Sequence, residues 1–69
     1  MIVLNGHPAP DMPVGITVAE LVRRVAGVDP DGRGVAVALD ATVVPRGSWA
    51  TTTVPDGARV EVVGAVQGG

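Results

Sequence analysis

Cysteine, lysine, tyrosine and phenylalanine are missing from these 69 residues, and tryptophan and histidine occur once each. Without cysteine there is no disulfide, no thiol nucleophile and no thiolate metal site. A single histidine, His7, excludes a histidine-cluster metal centre, and the expected metal set is none. An excess of positive charge is also lacking: five arginines face seven acids, for a net charge of −2. That argues against nucleic acid as a partner, since a basic face would be needed. The longest unbroken apolar run, Val35–Leu39, is far short of the roughly 20 residues that span a bilayer. The first residues carry no basic region leading into an apolar one, as a secretory signal would. The expectation is a soluble, cytoplasmic protein that contacts no membrane.

What is present is valine, at 15 positions, and alanine, at 9. Valine's branched side chain suits a pleated surface, so sheet is favoured. A chain this short buries only about 60% of the surface it exposes when unfolded, so its stability must come from one small apolar core.

Met1-Ile2-Val3-Leu4 reads as a strand closed by Asn5-Gly6, a strong hairpin signal. His7 to Pro13 holds three prolines and can return only as an edge strand. Thr17-Val18-Ala19-Glu20 matches a capping box, with Ile16 and Leu21 placed as a hydrophobic staple. Val18, Leu21, Val22 and Val25 then form one apolar stripe, which predicts a helix over 17–26 stopped by Gly27. Glu20 and Arg24 are spaced for an ion pair.

Residues 29–34 read as a solvent loop. Val35–Leu39 is a strand whose alternation of large and small apolar residues predicts contact on both faces. Asp40-Ala41 turns into a strand Thr42-Val43-Val44, ended by Pro45. Pro55-Asp56-Gly57 is a turn, and Arg59–Val63 is the last strand. The order is ββαβββ, an α+β roll: one mixed sheet with a single helix packed on one face. Parallel pairing of the first and last strands would make the last one central. The expected organisation is one domain over residues 1–65 with a flexible diglycine tail over 66–69.

No constellation of side chains predicts catalysis, and the expected set of catalytic residues is empty. His7 sits in a turn between Gly6 and Pro8 and is read as solvent-exposed. Asp29-Pro30-Asp31-Gly32 lacks the spaced ligands and closing Glu of a calcium loop. Trp49 is read as a filler at the open end of the sheet, and Val63, with Val66, as apolar surface on its open face, suited to a partner.

The chemistry therefore centres on the sequence Gly64-Ala65-Val66-Gln67-Gly68-Gly69. Two glycines lack Cβ atoms and leave the terminal carboxylate unhindered, so the tail could thread a narrow channel. Such a carboxylate can be activated with ATP to an acyl adenylate and converted by sulfide to a thiocarboxylate. On these residues alone, an incidental glycine end stays open as an alternative.

Val37-Ala38-Leu39-Asp40, Val43-Val44-Pro45-Arg46, Trp49-Ala50, Asp56-Gly57, Arg59–Val63 and the diglycine end together resemble the ThiS family of sulfur carriers in thiamine biosynthesis. The Val-Pro-Arg-x-x-Trp spacing discriminates most, and Asn5-Gly6 and Thr17-Val18-x-x-Leu21 agree. The resemblance implies a ubiquitin-like β-grasp fold. It implies that a ThiF-type enzyme adenylates Gly69 with ATP and that cysteine-derived sulfur makes the thiocarboxylate. It implies delivery of that sulfur to thiazole synthase. Gly68, Gln67 and Val66 correspond to the arm that enters the partners, and no cofactor is expected on the protein itself. It would then be a covalent co-substrate and no enzyme. Two departures stand out: Asp40 where Asn is common, and Ala58 where an acidic residue often follows Asp-Gly. The second would weaken a turn or take a charge from a partner surface. The small subunit of molybdopterin synthase and a ubiquitin-like protein modifier are the alternatives, with a purely structural β-grasp domain as a third.

Overall fold

A computed structural model describes residues 1–64. The first hairpin joins β1, Ile2–Leu4, to β2, His7–Ala9, with Leu4 opposite His7 and Val3 opposite Pro8. Asn5 and Gly6 both have positive φ, 50° and 80°, as a type I′ turn requires. Pro8 is harmless there. The Val3 N–H points the other way, to the Ala58 carbonyl at 2.9 Å, so Val3–Pro8 is a pair without mutual hydrogen bonds. The missing donor of Pro8 thus falls on the outer edge of the sheet.

Helix α1 spans Val18–Arg24 with Thr17 as its N-cap, shorter than the predicted 17–26. Each N–H of its first turn has a partner. Val18 donates to Thr52 O at 2.9 Å, Ala19 to Trp49 O at 3.1 Å and Glu20 to the Thr17 hydroxyl at 3.2 Å. Only half of the expected capping box forms. The Glu20 carboxylate turns instead to Arg23, at 2.9 Å, and Arg24, at 3.8 Å. Val18, Leu21 and Val22 are buried, and Val25 still touches the core although its backbone is already extended. The apolar period therefore outlasts the helix by one residue, and Gly27, at φ 85°, belongs to the loop beyond it.

The loop leads to β3, Val35–Leu39, which a two-residue turn joins to β4, Thr42–Val43. Asp40 and Ala41 both adopt positive φ, 47° and 69°. Asp40 also ties the turn to the last strand, β5, Arg59–Gly64. Its N–H donates to Arg59 O at 2.8 Å, and its carboxylate accepts from Arg59 N–H at 2.9 Å. The predicted third residue of β4, Val44, leaves the strand and is buried, and a short 3-10 helix follows over Arg46–Ser48.

The sheet has five strands in the order β2-β1-β5-β3-β4. β1 and β5 run parallel and the other neighbours antiparallel, so β5 is central as expected. Ile2, Val37, Val60 and Val62 point toward the helix and close the core with Leu21, Val22 and Val54. One sequence expectation needs correction here. β3 is covered on one face only: Val37 is buried while Ala36 is exposed on the far side. Its small residues belong to an open face that nothing in residues 1–64 covers. Position 58 needs one as well. Ala58 is only 3% exposed, so that departure lies in the core and takes no charge from a surface.

Candidate functional site

The site is built where β5 ends. Val60 and Val62 anchor the strand in the core, and Gly64 pairs with Val35 on β3. Gly64 also lies against Val28: a Cβ placed on it would sit 3.0 Å from the Val28 Cγ1 atom. On the other edge, the side-chain amide of Asn5 brackets Val62. Val62 N–H donates to Asn5 Oδ1 at 2.8 Å, and Asn5 Nδ2 donates to Val62 O at 3.2 Å. Sequence reasoning treats Asn5 only as a turn residue and misses this. The partners are 57 positions apart, so no local pattern signals the contact.

The last four residues, Val66, Gln67, Gly68 and Gly69, lie outside the described residues. Val63 is 63% exposed on the open face of the sheet, opposite Ala36. Val43 on β4 is also exposed, at 71%, and pairs with Ala38, which itself pairs with Glu61. The open face is therefore an apolar strip that carries the charges of Glu61 and Arg59 on its central strand.

The Val-Pro-Arg-x-x-Trp segment lies elsewhere, at the helix N-terminus. Trp49 is 6% exposed and its indole N–H donates to the Val44 carbonyl at 2.9 Å. The Arg46 guanidinium stands 5.5 Å from the ring centre, within cation–π range. It also donates to the carbonyls of Asp31 and Gly32, the latter at 3.1 Å. The segment pins the loop over 29–34 against the core, which is a structural task. A shallow recess of 210 Å³ beside it is lined by Arg23, Arg46 and Trp49 among others.

His7 is exposed, and its Nδ1 bonds the Asn5 carbonyl at 3.0 Å, so that nitrogen carries the proton. Asp29 accepts from the Asp31 N–H at 2.8 Å, an Asx turn. Among the described residues no three His, Cys, Asp or Glu side chains gather to hold a metal ion, and no helix is long and apolar enough to cross a membrane.

The family model that matches is that of the ThiS family, over residues 2–69. The chain belongs to the ThiS family. The crystal structure of the thiamine biosynthesis protein (ThiS) from Geobacter metallireducens is 32% identical, with a TM-score of 0.75 over 99% of this chain and 97% of that one. The NMR solution structure of a thiamine biosynthesis protein from the same organism gives 32% identity and a TM-score of 0.74, over 99% and 86%. No curated protein matches the chain significantly. The fold is the β-grasp of these ThiS neighbours, and family membership supports a sulfur-carrier role in thiamine biosynthesis, beside the enzymes of that pathway.

Proposed function

We propose that this ThiS protein carries sulfur as a C-terminal thiocarboxylate on Gly69. The Gly69 carboxylate attacks the α-phosphate of ATP on a ThiF-type enzyme, giving an acyl adenylate and releasing pyrophosphate. A sulfide equivalent derived from cysteine then displaces AMP and loses its proton, leaving –C(=O)S⁻. Thiazole synthase takes the sulfur, an oxygen from water or from the acceptor's carbonyl replaces it on the acyl carbon, and the carboxylate returns for another cycle. Gly68, Gln67 and Val66 line the partner channels, and Val63 contributes to the surface that partners meet. On this reading the protein is a cytoplasmic co-substrate and not an enzyme. It binds no cofactor, and ATP is consumed by the activating partner.

The observation that carries this reading is a family match that runs through residue 69, on a sheet whose central strand leads to that terminus. Intact-protein mass spectrometry tests it, after incubation with the activating enzyme, ATP and a sulfur source. The expected product is heavier by the difference between sulfur and oxygen, at Gly69. Adding thiazole synthase or the large subunit of molybdopterin synthase then decides the recipient. Unmodified carboxylate, or conjugates to other proteins, with a competent activating enzyme, would overturn the proposal.

A further inference from the structure

One pair of hydrogen bonds on β5 comes wholly from a side chain. The parallel ladder pairs Leu4 with Val60, and the Asn5 N–H still reaches the Val60 carbonyl at 2.8 Å. The chain then turns away through Asn5 and Gly6 into β2. That departure would strand the N–H and C=O of Val62 on this edge, and both are strong groups that need partners. The Asn5 side chain satisfies both, accepting at 2.8 Å and donating at 3.2 Å. An amide has the same donor and acceptor as a peptide group, so Asn5 adds one more rung to the ladder after its own backbone has left.

The result is a strand end held from three directions. Asn5 grips Val62 on one edge, Val35 pairs with Gly64 on the other, and Val28 lies against Gly64 from one face. Five residues, Ala65 to Gly69, follow Gly64. At full extension they reach at most about 18 Å. The position and direction of Gly64 therefore decide which region the terminal carboxylate can sample.

Resting on the carrier reading above, we infer that Asn5 is a positioning residue for the reactive terminus. Its amide fixes the root of the C-terminal arm, so that a partner enzyme meets the tail from a set origin. With the root released, each docking must first re-order that backbone, which weakens binding. Among the described residues, the Asn5 side chain bonds Val62 alone. It acts through Val62.

Two substitutions separate this role from the turn. Glycine accepts positive φ without strain, so Asn5→Gly keeps the turn and removes the amide. Asn5→Asp tolerates the same conformation and keeps an acceptor for Val62 N–H, but loses the donor. The assay is ATP–pyrophosphate exchange by the ThiF-type enzyme with the full chain as varied substrate, at a temperature where every variant is folded by circular dichroism. KM for Asn5→Gly should rise on the order of three- to tenfold, with a smaller rise for Asn5→Asp and kcat unchanged, the pattern of lost binding rather than lost chemistry. Amide exchange at Val62 and Gly64 should quicken in the same order. A fall in Tm with KM unmoved would make Asn5 merely structural and overturn the inference, leaving the carrier reading intact. Absence of exchange with the unmodified chain and a competent enzyme would overturn both.

Discussion

Replacing Gly32 by alanine tests whether Trp49 is the keystone of the loop over 29–34. Two costs act at this position. Gly32 has φ 79°, where a side chain costs about 1–2 kcal/mol. A Cβ there would also collide with the Trp49 Cζ3 atom and stand 3.0 Å from Cη2. Something must move, and the ring is poorly placed to do so. Its indole N–H is committed to Val44 O, and its face is covered by Arg46. Overpacking of this kind costs roughly 1–3 kcal/mol. Gly27 supplies the control, because its φ is 85° and a Cβ on it would meet nothing within 4 Å. Gly27→Ala should therefore lose only the backbone part, about 1–2 kcal/mol, and Gly32→Ala about 2–5 kcal/mol.

Native proteins hold roughly 0.05–0.15 kcal/mol per residue, so the larger loss would consume much of the stability of a domain this small. Urea unfolding followed by far-UV circular dichroism gives both numbers. The fluorescence of Trp49, the only tryptophan, reports separately whether the ring is displaced. Measured against Trp49→Leu alone, adding Gly32→Ala should cost less than it does in the native chain, since the obstructing ring is gone. Equal losses for the two glycine variants, with unchanged Trp49 emission, would refute the reasoning. The Gly32–Trp49 contact would then carry no energy of its own.

Three other substitutions probe the scaffold. Thr17→Ala removes the acceptor for the Glu20 N–H and should cost about 1 kcal/mol in urea unfolding; no loss would mean the cap is idle. Ala41→Gly relieves a non-glycine residue at φ 69° and should stabilise by about 0.5 kcal/mol, after the added freedom of the unfolded chain is deducted, which a thermal melt would show as a raised Tm. Gly64→Ala forces Val28 to yield a few tenths of an ångström and should cost on the order of 1 kcal/mol, again by urea unfolding.

The parts of this protein that sequence reading reaches are those whose cause is local. Asn5-Gly6 dictates its turn because both residues tolerate positive φ, and Thr17 dictates a helix start because its hydroxyl lies three residues from an unpaired N–H. Where a competing partner exists nearby, the same logic fails by one interaction. Glu20 could reach back to the cap or forward to Arg23 and Arg24, and it turns forward. The helix end moves for a similar reason, since Val25 keeps its core contact after leaving the helical backbone. The tail is the opposite extreme. Its proposed chemistry needs only a terminal carboxylate without neighbouring side chains, so all of its requirements are written in consecutive residues.

Between these lie features that exist only after the ends of the chain meet. β1 and β5 are separated by most of the sequence, yet their parallel pairing makes β5 central and brings Asn5 beside Val62. An asparagine that only shaped the turn could be replaced by aspartate or glycine at little cost, since both suit positive φ. The amide becomes informative through what it faces: one N–H and one C=O at the point where a neighbouring strand runs out. Asparagine can meet both at once, whereas aspartate can meet one and glycine neither. The same position thus answers two demands, a turn legible from residues 5 and 6 and a clamp legible only from residue 62. A ranking of asparagine, aspartate and glycine at position 5 that followed turn preference alone would show that the second demand is not felt.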